Sequence, residues 1–83
     1  MEANLLKHDG EWIIAQVEAM EGDAMPGDPD VWLVEPYLVD YEGQLVPWAP
    51  HASEREFNAR SSDISIMTTP SKSLLARYIE SIE

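Results

Sequence analysis

Few residues in this chain are placed to do chemistry, and they fall into three groups. His51 and Ser53 stand two positions apart, but a nucleophilic serine needs a base that is itself oriented by a third group. Proximity alone makes no triad, so no enzymatic activity is expected. The four glycines, Gly10, Gly22, Gly27 and Gly43, form neither a dinucleotide fingerprint nor a phosphate loop. Asp23, Asp28 and Asp30 offer hard oxygen ligands of the kind calcium takes. Their spacing is not that of a calcium-binding hand, so a solvated loop is favoured and the three remain candidate metal ligands. With no cysteine, disulfides and thiolate metal sites are excluded, two isolated histidines are too few for a zinc site without carboxylate help, and no cofactor is expected. The third group is Trp48, fenced by Pro47 and Pro50 and followed by His51, Arg55 and Arg60. An aromatic ring beside cations is a combination that stacks on nucleic-acid bases, and these four are the candidate ligand-binding residues, with packing at an interface the favoured alternative for Trp48.

The elements that must hold these residues are mostly short strands. Leu5-Leu6 and the run Glu11 to Ala19 flank His8-Asp9-Gly10, where Asp-Gly supplies a positive-φ turn. In the second run Ile13, Ala15, Val17 and Ala19 alternate with Trp12, Ile14, Gln16 and Glu18, which predicts a half-buried strand. Residues 20–30, rich in Gly, Pro and Asp, read as a long acidic loop. Val31 to Val34 read as a strand halted by Pro36, Tyr37 to Asp40 as its resumption, and Gln44 to Trp48 as the return after a Tyr41-Glu42-Gly43 turn. Arg55 to Ala59 and Ser62 to Met67 add two strands across Arg60-Ser61. Trp12 and Trp32, within apolar strands, are expected in the core or at a subunit interface. Thereafter the period changes: Leu74, Leu75, Tyr78, Ile79 and Ile82 share one helical face, with Thr69 as N-cap and Pro70 at the first helical position. The chain is thus one mainly β domain over 1–83, with strands over roughly 3–67 and a C-terminal amphipathic helix over roughly 70–82.

Charge limits the partners. Eleven carboxylates and not one Lys or Arg lie between His8 and Glu54, and the formal net charge is −11. That field repels phosphate backbones and anionic membranes within a Debye length of about 8 Å at physiological salt. Neither DNA nor a membrane is an expected partner; such acidity serves solubility first, and its functional alternatives are cation loading or attraction of a basic protein. No apolar run approaches the roughly 20 residues of a membrane span, and the N-terminus lacks a signal-peptide core, so a cytoplasmic location is expected. A domain this small buries only about 60% of its unfolded surface, which makes self-association the natural reinforcement.

Leu6-Lys7-His8-Asp9-Gly10-Glu11-Trp12-Ile13-Ile14-Ala15-Gln16-Val17 resembles the opening of the first Sm motif, with Gly10 at the turn and Ala15 as the small residue five positions later. Glu35-Pro36-Tyr37-Leu38-Val39, Gly43-Gln44, Pro47-Trp48-Ala49-Pro50, Asp63, Pro70, Leu74 and Tyr78 resemble the Sm-like proteins of tailed cyanophages. The resemblance implies a strongly bent five-stranded barrel whose edge strands pair into a closed ring of about five to seven copies, five favoured, in the host cytoplasm if the chain is phage-encoded. It also implies RNA as a ligand, with Trp48, His51, Arg55 and Arg60 as the residues to hold it. Sm rings hold bases with an Asp-x-x-Met-Asn loop and a later Arg-Gly pair. Here Glu21-Gly22-Asp23-Ala24-Met25-Pro26 and Pro47-Trp48 stand in those places. Five copies would carry five times −11, or −55. The alternative expectation is an acidic protein-interaction module that binds a basic protein.

Overall fold

The computed structural model describes residues 2–22 and 25–83. It is mainly β, with one antiparallel sheet and one C-terminal helix, as the sequence predicts. The strands are β1 (Asn4–His8), β2 (Glu11–Ala19), β3 (Val31–Val39), β4 (Leu45–Pro47), β5 (Glu56–Ala59) and β6 (Ile64–Thr68), followed by α1 (Lys72–Ile82). The sheet order is β4-β3-β2-β1-β6, with β5 also on β3. β4 pairs with the second half of β3 (Tyr37 with Pro47) and β5 with the first half (Val34 with Glu56). The two therefore occupy one strand position, broken opposite Glu35 and Pro36.

That break begins in β3 itself. The strand does not halt at Pro36, as its missing N–H suggests, but runs on to Val39 through a bulge. Ile14 pairs with Tyr37 and Gln16 with Val34, so Ala15 alone opposes both Glu35 and Pro36. An extra residue of this kind kinks the strand and raises its twist. Glu35 takes the left-handed conformation, φ 50°, which costs a side-chain-bearing residue on the order of 1 kcal/mol and persists only when neighbours enforce it.

The kink lets the sheet curl. Five strand positions at about 4.8 Å would separate the outer two by about 19 Å in a flat sheet. Yet β5 reaches β6 through Arg60 and a single 3-10 turn at Ser61–Asp63, an element that rises only about 2 Å per residue. The outer strands must come close, and they do: Ala59 of β5 and Ile64 of β6 pack against the same cluster of Leu6, Ile13, Ala15 and Leu33 on the concave face. The sheet is strongly bent but not closed, because β6 forms no ladder with β4 or β5.

The convex face is covered by α1. Tyr78, Leu74, Leu75 and Ile82 pack with Ala3, Ile14, Tyr37, Val39 and Leu45. Ile14 is therefore as buried as Ile13 and Ala15, and β2 is covered on both faces at its centre rather than half-buried. The helix starts later than predicted. Ser71, not Thr69, is the N-cap and accepts from the Leu74 N–H at 3.2 Å. Pro70 thus sits before the cap, buried. At eleven residues α1 depends on this packing. Among the described residues no helix is long and apolar enough to cross a membrane.

Tyr78 links helix to kink. Its hydroxyl donates to the Glu35 carbonyl at 2.9 Å, shared with that of Val34 at 3.2 Å, and receives a longer bond from Gln16 at 3.5 Å. Burial pushes the phenol's pKa upward, which keeps the hydroxyl a donor. Tyr78→Phe keeps the ring and removes that donor. It is expected to destabilise the domain by about 1–2 kcal/mol and to lower Tm by about 5–15 °C. Thermal unfolding checks this, and an unchanged Tm would remove Tyr78 as the clamp.

Candidate functional site

Trp48 and Arg55 come together at the kink. The segment from Trp48 to Arg55 bridges β4 and β5 where β3 bends away from the sheet edge. The Trp48 N–H donates to the Pro36 carbonyl at 3.1 Å, and the Glu35 N–H to the Arg55 carbonyl at 2.7 Å. The Arg55 guanidinium donates to the carbonyls of Trp48 (2.8 Å) and Pro36 (2.7 Å). A planar fork suits two acceptors held at fixed positions. Its ion pair with Glu35 is longer, 3.7 Å, and partly exposed. Surface pairs of that kind contribute little, so the carbonyl bonds dominate. The same guanidinium lies 5.8 Å from the Tyr37 ring and 5.7 Å from that of Phe57.

Trp48 turns inward. Its ring meets Phe57 edge-on at 5.3 Å and His8 at 5.8 Å, and it packs against the concave-face cluster. The prolines that predict a presented ring instead stiffen the segment that plugs this end of the core. His51 lies on the exposed outer part of the same segment, away from these contacts. Trp12 and Trp32 are half-buried within β2 and β3.

Arg60 sits elsewhere, in the β5–β6 connection. It donates to both Asp63 carboxylate oxygens, at 2.9 and 3.3 Å. Asp30 reaches the same turn from the far side of the acidic loop: its carboxylate accepts from the Ser61 hydroxyl at 2.6 Å and the Ser61 N–H at 2.7 Å. Those bonds, the hydroxyl's first, hold the Asp30 carboxyl below its ordinary pKa. Asp28 is exposed on the loop, and Asp23 lies outside the described residues. Among the described residues no three acidic or histidine side chains converge as a metal-ligand set.

Four of the five side-chain cations have partners within the chain. Besides Arg55 and Arg60, Arg77 donates to the Gly43 carbonyl at 3.0 Å, and the Lys7 ammonium lies 5.7 Å from the Trp12 ring. Among the described residues Lys72 has none.

The features that sequence reasoning passes over are the two open sheet edges. β4 and β6 contain no charged residue, and β5 contains only Glu56. In a chain that is 25% charged, the two longest uncharged runs are 43–53 and 64–71. The first carries β4 and the second β6. Val46, Ile66 and Met67 expose about half their surface there. Natural edges are usually guarded by charge, proline or bulges. Pro47 removes one N–H from the β4 edge, while β6 has neither proline nor charge and its one guard is the bulge at Ser65, opposite Lys7 and His8. The signal was present in the sequence as two neutral stretches, but only the strand order shows that they are edges.

In comparison with known families, the chain matches the model of a family of unknown function (DUF6561) over residues 2–83. None of the curated proteins compared matches it.

The Asp30 bonds make stability pH-dependent with a definite sign. A carboxyl whose pKa is lower folded than unfolded stabilises fully above its unfolded value, near 3.8, and that contribution fades as pH falls through the lower folded value. Asp30→Asn is therefore expected to lower Tm most near neutral pH, with the gap to wild type closing below pH 3.8. Thermal melts across pH test this, and a gap that stays constant as pH falls would contradict it.

Proposed function

The chain belongs to the DUF6561 family, and we propose that it is a non-enzymatic, Sm-like module of the cytoplasm that assembles edge to edge into a homo-oligomeric ring. The observation that carries this reading is the pair of unpaired edges, β6 and β4 without charge and β5 with only Glu56, that half-expose Val46, Ile66 and Met67. In the proposed ring, β6 of one copy adds to the β4/β5 edge of the next. Such head-to-tail contacts satisfy every inner N–H and C=O row and close when the rotation between copies returns to the start. The bend of each sheet sets that rotation. The resemblance to Sm proteins supports a ring of about five to seven copies.

A second reading concerns what the assembly binds. RNA enters through the resemblance, with Trp48, His51, Arg55 and Arg60 as its candidate contacts. The engagement of four of five cations inside the chain favours the alternative, an acidic surface that receives a basic protein. A phosphate backbone would need free cations to displace its counterions, whereas a basic partner needs only the carboxylates that already face solvent.

Light scattering coupled to size-exclusion chromatography tests the assembly. The expected mass at micromolar concentration is about 47–66 kDa, five to seven times 9.4 kDa. Val46→Lys and Met67→Lys, each at a half-exposed edge position, are expected to give folded monomers. Raising salt should strengthen the assembly, because screening weakens repulsion among copies of charge −11. A monomeric wild type would refute the ring. Retention of short U-rich or A-rich RNA on filters, weakening with salt, would return RNA to the first place among ligands.

A further inference from the structure

We propose that a groove on the convex face, between the two hairpin turns, is a docking site for a basic peptide segment with apolar anchors. The inference rests on the basic-partner reading and names its site. The groove has a volume of about 460 Å³ and is mainly apolar, with Leu5, Trp12, Val39 and Tyr41 in its lining and Glu11 and Asp40 among the residues that border it. That volume lies in the range that admits small ligands or one or two anchoring side chains, about 300–1,000 Å³.

The arrangement follows from the turns. Asp9 and Gly10 both take positive φ and close β1 onto β2 in two residues. This puts Glu11 and Trp12 at the start of β2, directly across from His8 and Lys7. On the other side Asp40 ends β3, and its Oδ1 accepts from the N–H groups of Glu42 and Gln44 at 2.9 and 2.8 Å. That turn displays Tyr41 fully to solvent. The fully exposed Tyr41 and the half-buried Trp12 line the same groove, and both are residue types enriched at interfaces.

Charge selects the occupant. The groove carries Glu11 and Asp40, and Asp9 and Glu42 adjoin them on the turns. Lys7 already lies 5.7 Å from the Trp12 ring, so a basic segment would set its apolar groups, not its cations, against that ring. A second copy of the chain complements the groove poorly, since it brings −11 and its cations are mostly engaged. The groove is built largely from β1, β2 and β3 and their turns, so pairing of the β4/β5 and β6 edges does not consume it. A Lys- or Arg-rich segment bearing aliphatic side chains satisfies both halves of the surface, with its apolar groups against Trp12 and Val39 and its cations toward Glu11 and Asp40.

The test uses two fluorescein-labelled dodecapeptides of equal positive charge, one carrying two leucines and the other serines in their place. Binding is read by fluorescence anisotropy and by the Trp12 indole N–H signal in NMR. The leucine peptide is expected to bind and to shift that signal. The double variant Glu11→Gln/Tyr41→Ser, which alters only surface positions, should weaken it about tenfold, while Glu54→Gln, with the same charge change, should alter it less than about twofold. Equal binding of the two peptides, or equal losses in both variants, would overturn the groove and leave the basic-partner reading standing. No binding of either peptide up to about 0.1 mM would overturn both. A Trp12 shift that follows protein concentration instead of peptide would assign the groove to a second copy and overturn the proposal.

Discussion

The structure depends on one local distortion, the kink at Glu35-Pro36 in β3. Two residues face Ala15 where one would fit, and Glu35 is forced to φ 50°. Left to itself that backbone would relax. It is held from three sides: Tyr78 donates to the Glu35 carbonyl from the helix, Arg55 donates to the Pro36 carbonyl from the bridging segment, and the Glu35 N–H is bonded to the Arg55 carbonyl. Pro36 contributes by lacking the N–H that a regular ladder would demand at this point. From the kink follow the split of one edge into β4 and β5, the curl that brings Ala59 and Ile64 into one core, and the convex surface on which α1 lies.

The charge pattern takes its meaning from this geometry. Cations are scarce, and two of them, Arg55 and Arg77, are used to bind backbone carbonyls on segments distant in sequence. Most carboxylates lie on turns and the acidic loop; among the described residues Asp40 bonds its own turn, Asp63 pairs with Arg60, and Asp30 bonds Ser61 across the fold, which lowers its pKa. Charge is withheld from β4 and β6, two of the three strands that have one side unpaired, and the third, β5, carries only Glu56. A chain whose net charge repels its own copies at long range thus carries neutral strips at its sheet edges, and the proposed ring rests on those strips.

What the sequence disclosed was local. Asp9-Gly10 marked its turn because two positive φ values in succession suit few other pairs, and Leu74, Leu75, Tyr78 and Ile82 marked a helical face. What it withheld was relational. Ile14 looked solvent-facing because alternation assumes one covered face, and nothing in β2 reveals that a helix sixty residues later covers the other. Pro36 looked like a stop because a missing donor does end most ladders, while the bulge that tolerates it is formed by Ala15, Tyr78 and Arg55 together. Asp30 resembled its acidic neighbours until folding set it opposite Ser61. Trp48 between prolines has the same signature whether the ring is presented or buried, and only the contacts with His8 and Phe57 distinguish the two.

The central claim is that the neutral edges are covered by other copies of the chain, and amide hydrogen exchange along β6 tests it most directly. If copies pair there, amides of Ile64–Thr68 that are not bonded to β1 exchange slowly at high protein concentration and faster on dilution, while the amides of β2, inside the sheet, are unaffected. Exchange of the β6 amides that is fast and independent of concentration would contradict the account.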